Sequence, residues 1–255
     1  MAVTLENIAR DIGIPIKDGK IVIPDWVTSI KIDVGIAYDA PHTQNWIDAD
    51  PGTMVFCFEA NPRWIKYLNT PPKDRDYNFK DYVPARPGTP YKELEFDNIG
   101  RRCFIFPVAL HNVSEPTTMD FYVTDVSEGC CSLLRPTSDF SAISQVAKVP
   151  VFSLADFFKL LPDDKIVDFI KIDVQGVDLQ VIKSADHYLS DRVVYVTAEP
   201  ETATYENASE NTPENMTAYL ATRNFVRVGH RNTRDPTFLN KKFYDRADVY
   251  IFQYF

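Results

Sequence analysis

Short apolar runs alternate along the chain with longer segments in which apolar residues recur every three or four positions. Five runs are apolar at almost every position, as strands buried on both faces require; they are residues 29–34, 53–59, 103–110, 169–174 and 193–198. Helical periodicity is found at residues 43–48, 62–69, 153–161, 177–189 and 213–223. This alternation predicts an α/β fold with a mostly parallel central sheet and helices on both faces.

Two stretches interrupt the alternation. Residues 117–124 predict an extra strand, and residues 70–100, which are rich in Pro, Asp, Lys and Tyr, predict a long surface excursion. Residues 224–229 and 248–255 predict two antiparallel strands at the C-terminal edge of the sheet. No linker or shift in composition divides the chain. We therefore expect a single domain over residues 1–255, which could be excised from a larger multidomain protein.

The bulk composition narrows the class of protein. The chain has 255 residues, of which 45% are hydrophobic, and this is enough for one large core. No apolar run approaches the roughly 18 to 20 residues that span a bilayer, and charges interrupt the N-terminal segment, so we expect no membrane span and a cytoplasmic protein. The formal net charge of −9 argues against nucleic acid as a partner, because phosphate binding depends on clustered Lys and Arg.

Polar and small residues stand where the first two apolar runs end. Ligands of open parallel sheets bind at the carboxyl ends of the strands. Asp33 and Gly35 close the first run, and Glu59, Ala60 and Asn61 close the second. Glycine lets the backbone approach a ligand closely, and an acidic residue at the second position can accept hydrogen bonds from both hydroxyls of a ribose. These positions predict a site for a cofactor that contains adenosine.

The loop after the first run distinguishes between such cofactors. A dinucleotide needs the glycine pattern G-x-G-x-x-G, whereas this loop has only Gly35 and adds carboxylates at Asp33 and Asp39. Carboxylates repel a pyrophosphate but suit the amino and sulfonium groups of S-adenosylmethionine. The loop, with Tyr38 beside Asp39, therefore favours S-adenosylmethionine as the cofactor and S-adenosylhomocysteine as its product.

Residues 168–178 (DFIKIDVQGVD) form the sharpest motif of the chain. A strand ends in Asp173, and a glycine separates it from a helix that opens with Asp178, so polar groups lie over the predicted cofactor site. The alternative is that the two carboxylates only cap the following helix.

At this motif the chain resembles the FkbM family of S-adenosylmethionine-dependent methyltransferases. The matching segments cover most of the chain; they are residues 32–35 (IDVG), 58–62 (FEANP), 107–110 (PVAL), 131–133 (CSL), 151–156 (VFSLAD) and 168–178. The resemblance implies a Rossmann-like, class I methyltransferase fold. It also implies transfer of a methyl group to a hydroxyl, frequently a sugar hydroxyl of a glycan or glycoside.

The resemblance further assigns residues to the parts of the cofactor. It implies that Asp33 and Gly35 border the methionine part and that Glu59 binds the ribose. Val108 and Ala109 would then lie against the adenine.

The chain departs from the family pattern at three places. The resemblance puts Asp173 and Gln175 near the sulfonium, but the family usually has Glu where this chain has Gln175, and a second Glu where it has Asp178. Residues 36–41 (IAYDAP) lack the usual second glycine and Asn. The loss of a carboxylate at Gln175 puts a role as base or metal ligand in doubt there, although its amide can still orient a substrate.

A sugar hydroxyl is a poor nucleophile, so methyl transfer needs a base that removes its proton. Asp173 is the leading candidate because it ends a strand near the sulfonium. Asp178 and His230 are further catalytic candidates, and an imidazole has a pKa near neutrality. The residues expected to bind the acceptor are Ser132, Gln175 and Glu199.

The sequence says less about a metal ion, the acceptor and the protein partners than it says about the cofactor. Asp173, Asp178 and Glu199 could gather three carboxylate oxygens around Mg²⁺, but sequence separation does not establish such a cluster, and we assign no metal ligand. The family's habits favour a neutral deoxysugar such as rhamnose, with glycosyltransferases as working or fused partners. Two alternatives stay open: a methyltransferase for a phenol or carboxylate of a small metabolite, and a non-catalytic module that binds S-adenosylmethionine.

Overall fold

The computed structural model describes residues 3–77, 92–124, 128–229 and 234–249 of the 255-residue chain. Its helices are α1 (Leu5–Asp11), α2 (Pro41–Ala49), α3 (Pro62–Leu68), α4 (Leu154–Leu160), α5 (Asp178–Ser184), α6 (Tyr188–Arg192) and α7 (Pro213–Thr222). Its strands are β1 (Ile16–Lys17), β2 (Lys20–Ile21), β3 (Ser29–Val34), β4 (Thr53–Phe58), β5 (Cys103–Phe106), β6 (Ala109–Leu110), β7 (Thr117–Thr124), β8 (Ile143–Phe152), β9 (Val167–Ile172), β10 (Val193–Ala198), β11 (Phe225–Val228) and β12 (Thr237–Asn240). None of the described helices has the length and apolar character needed to cross a membrane.

Seven strands form one large mixed sheet in the order β11-β12-β10-β9-β3-β4-β5. The strands from β10 to β5 pair in parallel, whereas β12 runs antiparallel to both β10 and β11. A separate three-stranded sheet has the order β6-β8-β7, and β1 and β2 form a hairpin. The chain thus has an α/β architecture with a large mixed sheet, as expected for a methyltransferase fold.

The large sheet carries apolar side chains on both faces, and helices cover both. Met54, Phe56 and Phe58 of β4 pack on the face covered by α1, α4, α5 and α7. Val55 and Cys57 of the same strand pack with α2 and α3 on the opposite face. Every residue of β4 is buried, which explains why its sequence is apolar throughout rather than alternating.

Four of the described helices, α1, α3, α4 and α7, begin at side chains that satisfy free backbone N–H groups. Asn61 caps α3 by accepting a hydrogen bond from the Arg63 N–H. Ser153 and Asp156 form a reciprocal capping box at the start of α4.

The predicted strand over residues 103–110 is wrong as one element, because the chain changes sheets within it. Strand β5 ends at Phe106, and β6 pairs with β8 in the small sheet. Pro107 lies at the break, where it has no N–H to offer to a ladder. Val108 therefore lies between the two sheets, beside the pocket described below.

Other predicted boundaries also change. The second antiparallel strand is Thr237–Asn240 rather than residues 248–255. A 3-10 helix occupies Lys241–Val249, and residues 250–255 lie outside the described residues. The predicted helix over residues 177–189 is two helices, α5 and α6, separated at Asp186, which has a positive φ of 52°. Within the predicted excursion, 3-10 turns form at Pro72–Asp74 and Phe96–Asn98, and residues 78–91 lie outside the described part.

Candidate functional site

An open pocket with an empty volume of about 780 Å³ lies where β3, β4 and β9 end and the small sheet begins. Its lining combines apolar side chains with a few convergent polar groups, as is typical of sites for small molecules and cofactors. Of the residues predicted to bind a cofactor, those that line this pocket are Gly35, Glu59, Ala60, Asn61, Val108, Ala109, Asp173 and Gln175. The structure thus brings together residues that are far apart in the sequence.

One wall of the pocket is apolar. Val108 and Ala109 continue into Leu110 of β6, and Phe121 of β7 and Leu133 complete this wall. The last three were not among the predicted site residues, because apolar positions in a strand usually indicate core packing. An apolar slot beside polar groups suits a flat heteroaromatic ring such as adenine.

Glu59 ends β4 at the floor of the pocket and is 6% exposed. Its carboxylate accepts hydrogen bonds from the Asn61 N–H at 2.7 Å and from the Ala37 N–H at 3.0 Å. An ionised carboxylate offers about four acceptor positions, so capacity remains for two ligand hydroxyls. Burial raises the pKa of Glu59 to about 7.

Gly35 has a positive φ of 78°, and its place in the sheet explains the glycine. A Cβ at this position would lie 1.9 Å from the backbone oxygen of Asp173. Any side chain would therefore push β3 away from the end of β9. Gly35 both lines the pocket and lets these strand ends approach each other.

Three other residues predicted to bind the cofactor are buried outside the pocket lining. Asp33 lies behind the wall, where its Oδ2 accepts a hydrogen bond from Thr43 at 2.8 Å. Its Oδ1 has no hydrogen-bond partner among the described residues. Tyr38 packs edgewise or tilted against aromatic rings of α3. Burial raises the pKa of Asp39 to about 6.

Asp173 and Glu199 meet at the carboxyl ends of β9 and β10. The Gln175 Nε2 lies between them, 2.7 Å from Asp173 Oδ1 and 3.4 Å from Glu199 Oε2. Asp173 and Glu199 are also hydrogen-bonded to each other, and two carboxyl groups can share such a bond only when one of them holds a proton. The Arg234 guanidinium contacts the other oxygen of Glu199.

The proton belongs to Glu199. Burial and the charge of Asp173 raise the pKa of Glu199 to about 8. Burial alone would also raise the pKa of Asp173, but Lys171 and the hydrogen bonds from Glu199 and Gln175 outweigh it and lower that pKa below its usual value. Near neutral pH the pair is thus an ionised Asp173 beside a protonated Glu199.

The loop that carries Gln175 is held in an uncommon backbone conformation. Gln175 has a positive φ of 58°, which is rare for a residue with a side chain. The Ser132 hydroxyl donates to the Gln175 backbone oxygen at 2.7 Å. The Tyr205 hydroxyl has one proton to share between the Cys130 backbone oxygen at 2.8 Å and Gln175 Oε1 at 3.1 Å. The Gln175 amide nitrogen faces the carboxylates, because an ionised carboxylate only accepts hydrogen bonds. Ser132 is 1% exposed, so the structure gives it this positioning contact in place of the predicted contact with an acceptor.

Asp178 is fully buried at the start of α5 and lies outside the pocket lining. Its carboxylate accepts hydrogen bonds from the Val174 N–H at 3.4 Å and from Asn211 Nδ2 at 3.2 Å. Burial, and after it the charge of Asp173, raises the pKa of Asp178 to about 7. These contacts fit a role in holding residues 174–177 rather than direct contact with an acceptor.

We expect Asp178→Ala to lower the free energy of unfolding by about 2–4 kcal/mol, because it leaves two buried donors without an acceptor. Asp178→Asn keeps one acceptor oxygen and should cost less than about half of that. Urea unfolding at pH 7 measures both values. Equal losses in the two variants would contradict this assignment of the Asp178 contacts.

Of the predicted catalytic residues, His230 lies outside the described residues. In the part of the chain that the structure describes, no group of three or more His, Cys, Asp or Glu side chains is arranged to hold a metal ion. Lys171, which was not among the predicted site residues, lies 3.3 Å from Asp173 Oδ2 through its Nζ. Its signal in the sequence is a lysine between the apolar residues Ile170 and Ile172 of a central strand.

The family model described as Methyltransferase FkbM domain matches residues 33–227. This range contains every pocket residue described above. Comparisons with curated proteins and with solved structures gave no match.

Proposed function

Since the chain belongs to the FkbM methyltransferase family, we propose that it is an O-methyltransferase that transfers a methyl group from S-adenosylmethionine to a sugar hydroxyl. The observation that carries the proposal is the placement of Glu59 and Asp173 on one pocket. One carboxylate lies where a ribose can be bound, and the other lies where an acceptor hydroxyl can give up its proton.

The pocket fits S-adenosylmethionine in its shape and its donor set. Glu59 would accept hydrogen bonds from the ribose hydroxyls, and the wall formed by Val108, Ala109 and Leu110 would hold the adenine. The buried Asp33, with one unpartnered oxygen, supplies the negative potential that a cationic ligand requires. When bound, the cofactor supplies an electrophilic methyl group.

The strand order supports a Rossmann-like, class I methyltransferase arrangement. The order of the dinucleotide-binding sheets is 3-2-1-4-5-6 by position in the chain. Numbered in the same way, β5, β4, β3, β9 and β10 follow 3-2-1-4-5, and β12 is inserted antiparallel before β11. The switch point in this order lies between β3 and β9, beside Gly35 and Asp173, where such sheets bind their ligands.

Asp173 is the base in this proposal. Its ionised carboxylate accepts the hydroxyl proton as the new O–C bond forms, which is the step that a neutral sugar hydroxyl needs. Gln175 and the protonated Glu199 hold that carboxylate by hydrogen bonds. The same amide and carboxyl groups can hydrogen-bond further hydroxyls of a polyhydroxylated acceptor.

The sugar acceptor rests on the family resemblance together with these hydrogen-bonding groups. A neutral deoxysugar such as rhamnose, free or within a glycoside, is the first acceptor to test. Glycosyltransferases would supply such a substrate, which makes them natural partners.

A methyl-transfer assay across monosaccharides, short glycosides, phenols and carboxylic acids tests the proposal, with mass detection of the product. We expect products heavier by one methylene from at least one sugar and not from the phenols or acids. Calorimetry with S-adenosylmethionine and S-adenosylhomocysteine accompanies the assay. Absence of binding up to millimolar concentration would refute the methyltransferase function, whereas binding without turnover on any acceptor would favour a non-catalytic module.

A further inference from the structure

Lys171 is a largely buried cation in a strand where Asp168 is the other charged residue. It lies on β9, which is flanked by β3 and β10 in the centre of the large sheet, and its side chain is 12% exposed. A lysine in such a position is rare unless its charge is compensated. The carboxylates that compensate the charge of Lys171 therefore indicate its role.

One carboxylate contacts the Lys171 ammonium group, and two more act on it through their charge. Residues two apart in a strand point to the same face, and Nζ accordingly lies 3.3 Å from Asp173 Oδ2. Asp33 is the register partner of Lys171 on β3. Burial alone would lower the pKa of Lys171, but the charges of Asp173, Asp33 and Asp178 outweigh it and raise that pKa above the usual value. Lys171 is therefore protonated and cannot itself act as a base.

Without this cation, Asp173 would face mainly other acidic groups. The charged or titratable groups that act on Asp173 or face it from neighbouring elements are Asp33 on β3, His42 on α2, Glu59 after β4, Asp178 on α5, Glu199 and Tyr205 after β10, and Arg234 and Asp235 before β12. Arg234 is an exposed side chain that pairs with Glu199. Lys171 is thus the buried positive charge that contacts Asp173 directly.

We propose that Lys171 is a positioning residue for methyl transfer, whose ammonium group keeps the Asp173 carboxylate ionised and fixes its Oδ2, so that Oδ1 stays with Gln175 at the pocket. This inference rests on the proposed function of Asp173 as the base.

The test is a ¹³C-carboxyl NMR titration of the full chain, with the Asp173 signal assigned by its loss in Asp173→Asn. In the wild-type protein we expect Asp173 to titrate below the usual aspartate value of about 3.9. In Lys171→Met and Lys171→Gln its titration should move up by about one pH unit or more. Lys171→Arg should restore most of the shift, and Lys148→Met, which changes an exposed lysine of the small sheet, should have no effect.

The pH dependence of kcat gives the second readout. The acidic limb should move upward in Lys171→Met and Lys171→Gln by the same amount as the Asp173 titration, and should return in Lys171→Arg. A purely structural role would lower kcat without moving this limb. If no acceptor is methylated, the proposed function fails, while the NMR titration still decides the role of Lys171. A wild-type Asp173 that titrates at or above about 3.9, or neutral variants with an unmoved Asp173, would overturn the proposal.

Discussion

Asp173→Asn should lower kcat by about a thousandfold, within the range that a positioned general base contributes. Asparagine has nearly the same shape as aspartate but cannot take up the proton of an acceptor hydroxyl. No second carboxylate takes the same position, because Gln175 and Arg234 hold Glu199 at the end of β10. Glu59 and the apolar wall remain in place, so the affinity for S-adenosylhomocysteine should stay within about threefold of wild type.

The matched control is Asp163→Asn, which makes the same chemical change at an exposed carboxylate paired with Lys20. Its kcat should equal that of the wild-type protein. Steady-state kinetics with the best acceptor of the panel, together with calorimetry, separates loss of chemistry from loss of binding. A variant at Asp173 with normal kcat would remove this residue as the base and direct attention to the Glu199 carboxyl.

The central strands were predictable because a strand that is buried on both faces must be apolar at almost every position. Strands β3 and β10 occur at the predicted residues, 29–34 and 193–198, and β9 begins two residues early. The extra strand over residues 117–124 is also observed as β7. These runs depend on local apolar character, which a single sequence displays directly.

The elements that were missed or misplaced depend on tertiary context. Strand β8 alternates buried Ala147, Val149 and Val151 with more exposed positions, and Pro150 within it is a residue that sequence patterns rarely place in a strand. The β1–β2 hairpin follows from Asp18 and Gly19, both with positive φ, a turn signal too short to stand out alone. The change of sheet after Phe106 depends on pairing with β8, which is far away in the sequence.

The site was predictable to the extent that it lies at strand ends. Gly35, Glu59 and Asp173 were found because parallel strands end at the same edge of a sheet. The roles of Ser132 and Asp178 depend on which way each side chain points, and here both point into the loop that carries Gln175. Whether a carboxylate faces a pocket or a backbone amide is decided by packing, which residue spacing does not encode.

Glu59→Ala should weaken S-adenosylhomocysteine binding by about tenfold to a hundredfold, since a hydrogen bond to a charged group contributes about 1.5–3 kcal/mol. The loss has two parts: the ribose loses its acceptor, and the Ala37 and Asn61 N–H groups lose the carboxylate that ties the first loop to the start of α3. Calorimetry with S-adenosylhomocysteine at pH 8 measures the change. Glu115→Ala, at an exposed position, is the matched control and should bind normally. Unchanged affinity in the Glu59 variant would refute its contact with the ribose.

The pH dependence of binding gives a second test of Glu59, because burial raises its pKa to about 7 in the free protein. Ribose hydroxyls donate to the ionised form, so binding favours loss of the Glu59 proton. Affinity should therefore rise with pH through about 7 and should be about tenfold weaker at pH 6 than at pH 8. Glu59→Gln cannot titrate, so the difference between its profile and that of the wild-type protein isolates this group from the titrating amine of the ligand. Parallel profiles for the two proteins would show that Glu59 is not the group whose ionisation controls cofactor binding.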